Sequence, residues 1–269
     1  MKVPHTPKVR PPAVAGTFYP AAPEELHGAL RAAFKAAVRP DREMPAPKAL
    51  VVPHAGYIYS GPVAASAYLS LGAARDRVQR IVLLGPSHYV PTSGIAVASA
   101  DAFATPLGLV AVDAAGRQLA LAQLCVSVDD EVHAYEHSLE VQLPFLQVMI
   151  DHFEVLPLAV GRCATTDVAT VLDTVWGGPE TVIVVSSDLS HYQRYAEAVV
   201  LDRRTAAAIV ARRPDKIGDR DACGAAGIRG LLSAGRADEL RVEQLDLRNS
   251  GDTAGDRERV VGYGAFALV

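Results

Sequence analysis

Residues 50–60 read LVVPHAGYIYS, a short apolar run followed by a proline, a histidine and a glycine. Aliphatic, β-branched residues in such a run are typical of a strand that is covered on both faces of a parallel sheet. Proline has no N–H to donate to a neighbouring strand, so Pro53 is expected to end this one. His54 is therefore predicted to lie in the loop just beyond the carboxyl end of the strand.

The same pattern occurs twice more along the chain. Residues 80–89, RIVLLGPSHY, place His88 after a second aliphatic run, and residues 181–192, TVIVVSSDLSHY, place Asp188 and His191 after a third. Open α/β sheets bind ligands in the crevice beyond the carboxyl ends of their strands. A single loop histidine is more often a bystander, but three histidines in the same position favour a functional site in one crevice.

The composition is that of a folded, mildly acidic protein. Half of the 269 residues are hydrophobic, 21% are charged, and the net charge is -4. This balance gives no electrostatic support for binding nucleic acid or an anionic membrane. No apolar run approaches the roughly 20 residues of a membrane helix, and the proline-rich start lacks the apolar core of a signal peptide. A cytoplasmic location is therefore expected.

Alternating helix and strand signals predict one α/β domain over residues 1–269, with a mostly parallel mixed sheet and helices on both faces. An extended N-terminal arm, residues 1–20, is expected to pack on it, and residues 39–47 to form a loop. Helices are predicted at 23–38, 63–71, 114–124, 166–176, 196–212 and 221–232. Strands are predicted at 49–52, 81–84, 95–99, 107–112, 154–160, 182–186, 240–247 and 260–269.

His54 and His88 are candidate metal ligands, because neutral imidazole is the commonest protein ligand of transition metals. The residues alone leave the third ligand open. Asp188 would complete the two-histidine, one-carboxylate set of non-haem Fe(II) oxygenases. Cys223 lies at a predicted helix start, where the helix dipole favours a thiolate, and a thiolate would favour zinc, iron or copper. Simple packing in a tight helix start explains Cys223 equally well, whereas Cys125 and Cys163 are expected to fill the core.

Other polar residues near the three strands have less specific roles. His191 follows Asp188 by three residues and is a candidate general acid or base oriented by that carboxylate, or half of a structural loop contact. His137 and Glu140 lie one helical turn apart and share a face. They could support the metal ligands or line a substrate rim, and a pair on a helix surface is an equal alternative. Tyrosines near the histidines are candidates to wall the pocket, or simply to pack the loops: Tyr57, Tyr89 and Tyr192.

Ordered blocks over nearly the whole chain resemble the Memo family, whose prokaryotic members are called AmmeMemoRadiSam system protein B. The blocks are RPPAVAGTFYP, VVPHAGYIYSGPVAASAY, LLGPSHY, EHSLEVQLPF, SSDLSHY and NSGDTAGDRERVVGYGAFA. The resemblance implies a fold similar to the LigB-type class III extradiol dioxygenases, with a metal crevice at one end of the sheet.

The resemblance also implies roles for five residues. It makes His54, His88 and Cys223 the metal ligands, with cysteine at the position where the dioxygenases have glutamate. It places Asp188 and His191 beside the metal, and His191 is similar to the acid/base histidine of the dioxygenases.

The function implied is a mononuclear iron(II) or copper redox enzyme of dioxygenase type that acts on a small organic substrate. Zinc is possible, and would fit a hydrolase that activates water. The implied partners include a radical-SAM protein and an Ammecr-type protein. An animal relative linked to phosphotyrosine-peptide binding supplies the alternative, a non-enzymatic metal- or peptide-binding module.

Overall fold

The computed structural model describes residues 6–40 and 44–269, so the first five residues of the expected arm and residues 41–43 of the expected loop lie outside it. Within these ranges twelve strands form one mixed sheet. The strands are β1 (Val9–Arg10), β2 (Ala49–Val52), β3 (Arg80–Pro86), β4 (Ile95–Val97), β5 (Ala102–Thr105), β6 (Gly108–Val112), β7 (Val126–Val128), β8 (Glu154–Val160), β9 (Thr181–Ser186), β10 (His191–Gln193), β11 (Val242–Asn249) and β12 (Val260–Leu268).

The sheet has a parallel centre and antiparallel additions at its sides. Its main path runs β1-β5-β6-β8-β3-β9-β2-β12-β10, with β11 paired to β12 and the β4–β7 pair attached to β8. Strands β8, β3, β9 and β2 are mutually parallel, whereas β12 runs antiparallel to β2 and β11. This confirms the prediction of an α/β fold with a mostly parallel mixed sheet.

Helices cover both faces of the sheet. They are α1 (Pro23–Ala36), α2 (Tyr57–Leu69), α3 (Ala114–Leu121), α4 (Asp130–Ala134), α5 (Leu143–Met149), α6 (Thr165–Val175), α7 (Tyr195–Val210) and α8 (Ala225–Ser233). Successive residues of a strand point to opposite faces. Accordingly, Leu50 and Val52 pack with α1, α2 and α5, and Ala49 and Val51 pack with α6, α7 and α8. No helix among the described residues is long and apolar enough to cross a membrane.

Helix α1 shows why the predicted elements form. Pro23 at the first turn fits the helix, because its fixed φ suits that position and its missing N–H is not needed there. Acidic Glu24 and Glu25 complement the helix dipole. Leu26 and Leu30 lie on one face at helical spacing and are fully buried. The local sequence and the tertiary packing therefore favour the same structure.

Several boundaries differ from the sequence-based expectation. Helix α2 begins at Tyr57 and passes through Pro62, although the helix was predicted to start only at residue 63. Pro62 lacks an N–H, and burial of the following alanine-rich face offsets the lost hydrogen bond. The predicted strand at 107–112 is the second half of a hairpin, since β5 precedes it and pairs with it. The predicted helix at 221–232 begins only at Ala225.

Candidate metal centre

The centre of the sheet brings three loops to one edge. Strand β9 lies between β3 and β2, and all three are parallel, so their carboxyl ends are neighbours. His54 follows β2, His88 follows β3 and Asp188 follows β9, each by two residues. The three strands that precede these residues are therefore neighbours in the sheet, as convergence on one crevice requires. Cys223 reaches the same edge from the loop that precedes α8.

Three donor atoms cluster at this edge. One ligand atom each from His54, His88 and Cys223 lies within 4.8 Å of the others. The Nε2 atom of His54 is 3.3 Å from the Cys223 sulfur, and the His54 and His88 rings meet edge to face with centroids 5.2 Å apart. The structure thus brings together two histidines predicted from the sequence and the cysteine implied by the resemblance.

Hydrogen bonds fix the tautomer of His54. Its Nδ1 lies 2.9 Å from the Ser186 hydroxyl oxygen. Ser186 donates its own proton to the Ser138 carbonyl at 2.6 Å and accepts a bond from the Gln142 side-chain amide at 2.8 Å. Nδ1 must therefore carry the proton and donate it to Ser186, since the serine proton is already engaged. This leaves the Nε2 lone pair free beside Cys223.

His88 is oriented in the same way by a carboxylate. Its Nδ1 lies 2.9 Å from Glu136 Oε1, and its backbone N–H donates to Glu136 Oε2 at 2.6 Å. Hydrogen bonds from His88, the largest of its stabilising contacts, hold the pKa of this buried carboxyl at about 2 against the opposing effect of burial. Glu136 is thus an acceptor, so His88 Nδ1 donates, and in the neutral imidazole Nε2 is the nitrogen available to a metal.

Burial favours the uncharged forms of His54 and Cys223 when no metal is bound. Desolvation, aided by the neighbouring imidazoles of His88 and His137, holds the pKa of His54 well below its usual value. Desolvation and the nearby Asp188 raise the pKa of Cys223 to about 12. Burial thus opposes the thiolate that the helix start was expected to favour. A metal would have to displace the thiol proton.

Asp188 lies beside the donor cluster and does not belong to it. Its Oδ1 accepts the backbone N–H of His54 at 2.8 Å, and its own N–H donates to the Cys223 sulfur at 3.2 Å. Burial raises the pKa of Asp188 to about 7. Of the two candidate third ligands, the structure places Cys223 with the histidines and Asp188 behind them, in contact with both loops.

His191 lies on β10, which pairs with β12, rather than in an open loop. Its Nδ1 lies 2.8 Å from the Leu189 carbonyl oxygen. A carbonyl can only accept, so Nδ1 is protonated and Nε2 is free. Burial lowers the pKa of His191, with a smaller contribution from His88. The ring contacts no oxygen of Asp188, so the carboxylate does not orient it as the sequence suggested.

His137 and Glu140 do not share a helical face. His137 lies in irregular backbone before a turn at residues 138–139, and Glu140 begins a 3₁₀ turn that leads into α5. The His137 ring stacks on His88 with centroids 4.7 Å apart, which places it at the site. Glu140 is fully buried and bonds to Arg10 and Tyr19 of the N-terminal arm. The predicted rim role of Glu140 is therefore wrong, because the arm covers it.

The three candidate pocket tyrosines lie in different environments. Tyr57 is a core residue, 6% exposed, whose hydroxyl donates to the Val141 carbonyl, so it does not wall a pocket. Tyr89 and Tyr192 are exposed. Their rings lie near His137 and His191, with centroids 5.6 Å and 5.8 Å apart respectively, at the edge of the site.

Sequence reasoning missed the residues that hold the ligands. Glu136 immediately precedes His137 in EHSLE, and nothing in the local sequence indicates that it accepts a hydrogen bond from His88, 48 residues earlier. Ser186 is the first serine of SSDLSHY, and nothing in the local sequence distinguishes it from Ser187. A second group of potential metal ligands consists of His88, Glu136 and His137. It is better explained as a set of hydrogen bonds through which Glu136 anchors the His88 loop. Glu136 already accepts bonds from His88, His137 and Ser138.

The donor set fits a transition metal. Two imidazole nitrogens with free lone pairs and one sulfur suit zinc, iron or copper and disfavour magnesium or calcium. Both histidines donate their other ring N–H to a fixed acceptor, as metal-binding histidines do. Cys125 and Cys163 are half-buried beside the α6–α8 core and do not belong to the donor cluster.

Comparison with known proteins places the chain in a family. A family model described as Memo-like protein matches residues 10–267. A MEMO1 family protein of Aeropyrum pernix is 38% identical, covering 97% of this chain and 100% of its own length. Relatives in Methanosarcina barkeri and Aquifex aeolicus are each 37% identical, covering 97% and 95% of this chain and 100% and 97% of theirs. The chain therefore belongs to the Memo family.

Proposed function

We propose that this protein binds one transition-metal ion through His54, His88 and Cys223 and carries out redox chemistry on a small organic substrate. The observation that supports this most directly is the convergence of three donor atoms within 4.8 Å. The hydrogen bonds of Ser186 and Glu136 leave the histidine Nε2 atoms available. Iron and copper are the proposed metals, and when bound either one supplies one-electron exchange at this edge of the sheet.

The residues around the cluster could handle protons. Asp188 has a pKa of about 7, so it can hold or release a proton near neutral pH. His191 presents a free Nε2 and is neutral at that pH, because burial lowers its pKa. General acid–base catalysis is most efficient when the pKa of the group lies close to the working pH. We assign Asp188 and His191 to proton transfer with the bound substrate.

Anaerobic metal titration tests the ligand set. The protein should bind one equivalent of Fe(II), Cu(I) or Zn(II) per chain, and Cys223→Ser should weaken binding at least tenfold, since a hydroxyl is a poor ligand for these metals. Cys163→Ser is the matched control and should bind as the wild type does. Equal affinities of the two variants would refute the assignment of Cys223.

Oxygen uptake tests the redox reaction. The Fe(II)-loaded protein should consume oxygen with a member of a panel of substituted catechols, the kind of substrate that extradiol dioxygenases cleave. His191→Ala should keep its metal while the rate falls about 10²- to 10⁴-fold, the range for a lost general acid or base. Loss of metal in His191→Ala would make it a ligand instead. Ester hydrolysis by the zinc form, without oxygen uptake by the iron form, would favour a zinc hydrolase.

A further inference from the structure

A cavity of about 580 Å³ lies between the start of α8 and the carboxyl ends of β3, β8 and β9. Cys223 and Ser186 form part of its wall, and Ser87, which precedes His88 in the chain, forms part of it in the loop after β3. His54 and His88 are not among its lining residues. The cavity therefore adjoins the donor cluster through Cys223, and its volume lies in the range that binds small organic molecules.

The lining contains both apolar and polar residues. Its apolar residues include Pro86, Val160, Val185, Ala222 and Ala225. Thr92 and Ser93 add hydroxyl groups, and Arg162 and Arg229 add guanidinium groups. Such a lining suits a molecule with an apolar body and one polar end.

The charges of the cavity are unbalanced. Arg229 is engaged, since it pairs with Asp219 at 2.7 Å and donates to the Ile217 carbonyl at 3.0 Å. Arg162 has no ion-pair partner or side-chain hydrogen bond among the residues that the structure describes. Two arginines and one aspartate therefore leave one uncompensated positive charge at the cavity.

The backbone of Arg162 is fixed even though its side chain is exposed. Its N–H donates to the Thr92 carbonyl at 2.9 Å, and its own carbonyl accepts the Gly94 N–H at 2.8 Å. These two backbone hydrogen bonds fix the point at which the Arg162 side chain leaves the cavity wall. Arginine presents a planar fork of donors that matches the oxygens of a carboxylate or phosphate.

We propose that this cavity binds a small organic acid, with its carboxylate or phosphate at Arg162 and its apolar body extending toward Cys223. The inference rests on the proposed function and deepens it, because it assigns the substrate to the class of organic acids. The apolar wall formed by Pro86 and Val160 holds the body of the molecule, and the charge of Arg162 selects the acid.

Binding of simple probes to the full chain tests the cavity directly. Calorimetry on the metal-free protein should show that benzoate or phenyl phosphate binds at least tenfold more tightly than the uncharged benzyl alcohol. Arg162→Gln should remove most of that advantage, a loss of about tenfold or more, because a charge-assisted pair is worth more than a neutral hydrogen bond. Comparing benzoate with phenyl phosphate decides which acid group the site prefers.

Two further variants separate charge from shape. Arg236→Gln removes an arginine in a turn outside the cavity and should leave binding unchanged. Ala226→Leu adds bulk to the cavity wall and should weaken all three probes alike while thermal melting shows an intact fold. If both acids bind no better than benzyl alcohol, or if Arg162→Gln binds as the wild type does, the assignment is overturned.

A cobalt(II)-loaded sample tests the link to the metal site. Benzoate should shift the thiolate-to-cobalt absorption band, because the cavity ends at Cys223. A benzoate complex that leaves the band unchanged would show that the acid is not the substrate of this site. The two proposals fail separately: probe binding that depends on Arg162 without any metal binding refutes only the metal site. Metal binding without selection of acids refutes only the cavity assignment.

Discussion

The Nε2 atom of His54 lies 3.3 Å from the sulfur of Cys223, although 169 residues separate them in the chain. The unfolded chain cannot hold these two atoms together without a large loss of entropy, so the site exists only in the folded protein. A metal that bound here would therefore stabilise the folded state, by an amount that rises with the logarithm of one plus its free concentration over its Kd. The site therefore forms only together with the parallel centre of the sheet.

Metal affinity should increase with pH. Burial raises the pKa of Cys223 to about 12, so at neutral pH the ion must displace one proton from the sulfur. The apparent affinity is then expected to rise about tenfold per pH unit between pH 6 and 8. His54 releases no proton in this range, because its pKa is already well below the usual value.

The measurement is a zinc titration at several pH values against a chelator of known affinity. Cys223→Ser should show a flatter dependence, since a serine hydroxyl does not ionise in this range. A wild-type affinity that stays constant from pH 6 to 8 would mean that the sulfur is not a ligand or is already a thiolate.

Glu136 should control the position of His88. This carboxylate accepts the backbone N–H and Nδ1–H of His88 and the N–H groups of His137 and Ser138. In Glu136→Gln the side-chain NH2 group would point at N–H donors and could not accept their hydrogen bonds, so His88 would lose its anchor. Loss of a carboxylate that orients a metal-binding histidine costs about 10- to 100-fold in metal affinity.

Glu131→Gln is the control for this change, because Glu131 is an exposed acid on the nearby α4. Competitive titration should show an unchanged affinity for that variant. If Glu136→Gln binds metal as tightly as Glu131→Gln, Glu136 stabilises only its own loop and does not orient His88 for metal binding.

The aliphatic runs made the centre of the fold predictable. Strands β2, β3 and β9 are short apolar segments with clear stops, and burial on both faces explains their composition. His54 and His88 follow from those stops. Strand β5 was missed because it has only four residues, Ala102–Thr105, which are too few to show an alternating pattern.

Contacts between distant segments limited the prediction of the site. Glu140 looked like a surface acid, and only its contact with Arg10 on the arm makes it buried. The role of Glu136 depends on a loop 48 residues earlier. The protonation of Cys223 depends on how deeply the folded chain buries it. Local spacing contains none of this information.

The buried pair of Arg10 and Glu140 should contribute strongly to stability. Both side chains are at most 6% exposed, and Glu140 also accepts bonds from the Tyr19 hydroxyl and the Val14 N–H. Glu140→Ala would leave the buried Arg10 charge without a carboxylate, with only the carbonyl oxygens of His133 and Glu136 as hydrogen-bond partners. Breaking such a pair by removing one member costs about 3–5 kcal/mol of the free energy of unfolding.

Asp151→Ala provides the comparison, because Asp151 pairs with Arg75 on the surface, where both side chains are largely exposed. Urea denaturation should show little change for that variant. A loss for Glu140→Ala no larger than for Asp151→Ala would mean that the arm detaches without cost.

His133 should make the protein less stable in acid. It is 2% exposed, its Nε2 lies 3.0 Å from the Ala96 carbonyl oxygen, and its Nδ1 has no partner among the described residues. Burial lowers its pKa from 6.5 to about 4. The unfolded chain therefore binds a proton more readily than the folded one between these two values. The resulting stability is complete above pH 6.5 and is lost as the pH falls toward 4, by at most about 3 kcal/mol.

His133→Gln isolates this contribution, since an amide can donate to the Ala96 carbonyl but does not titrate. Urea denaturation at pH 7 and pH 4.5 should show that the variant loses less stability between the two values than the wild type. His152→Gln replaces an exposed histidine and should keep the wild-type difference. If His133→Gln and the wild type lose the same free energy of unfolding, the acid sensitivity must come from other groups, such as the histidines of the metal site.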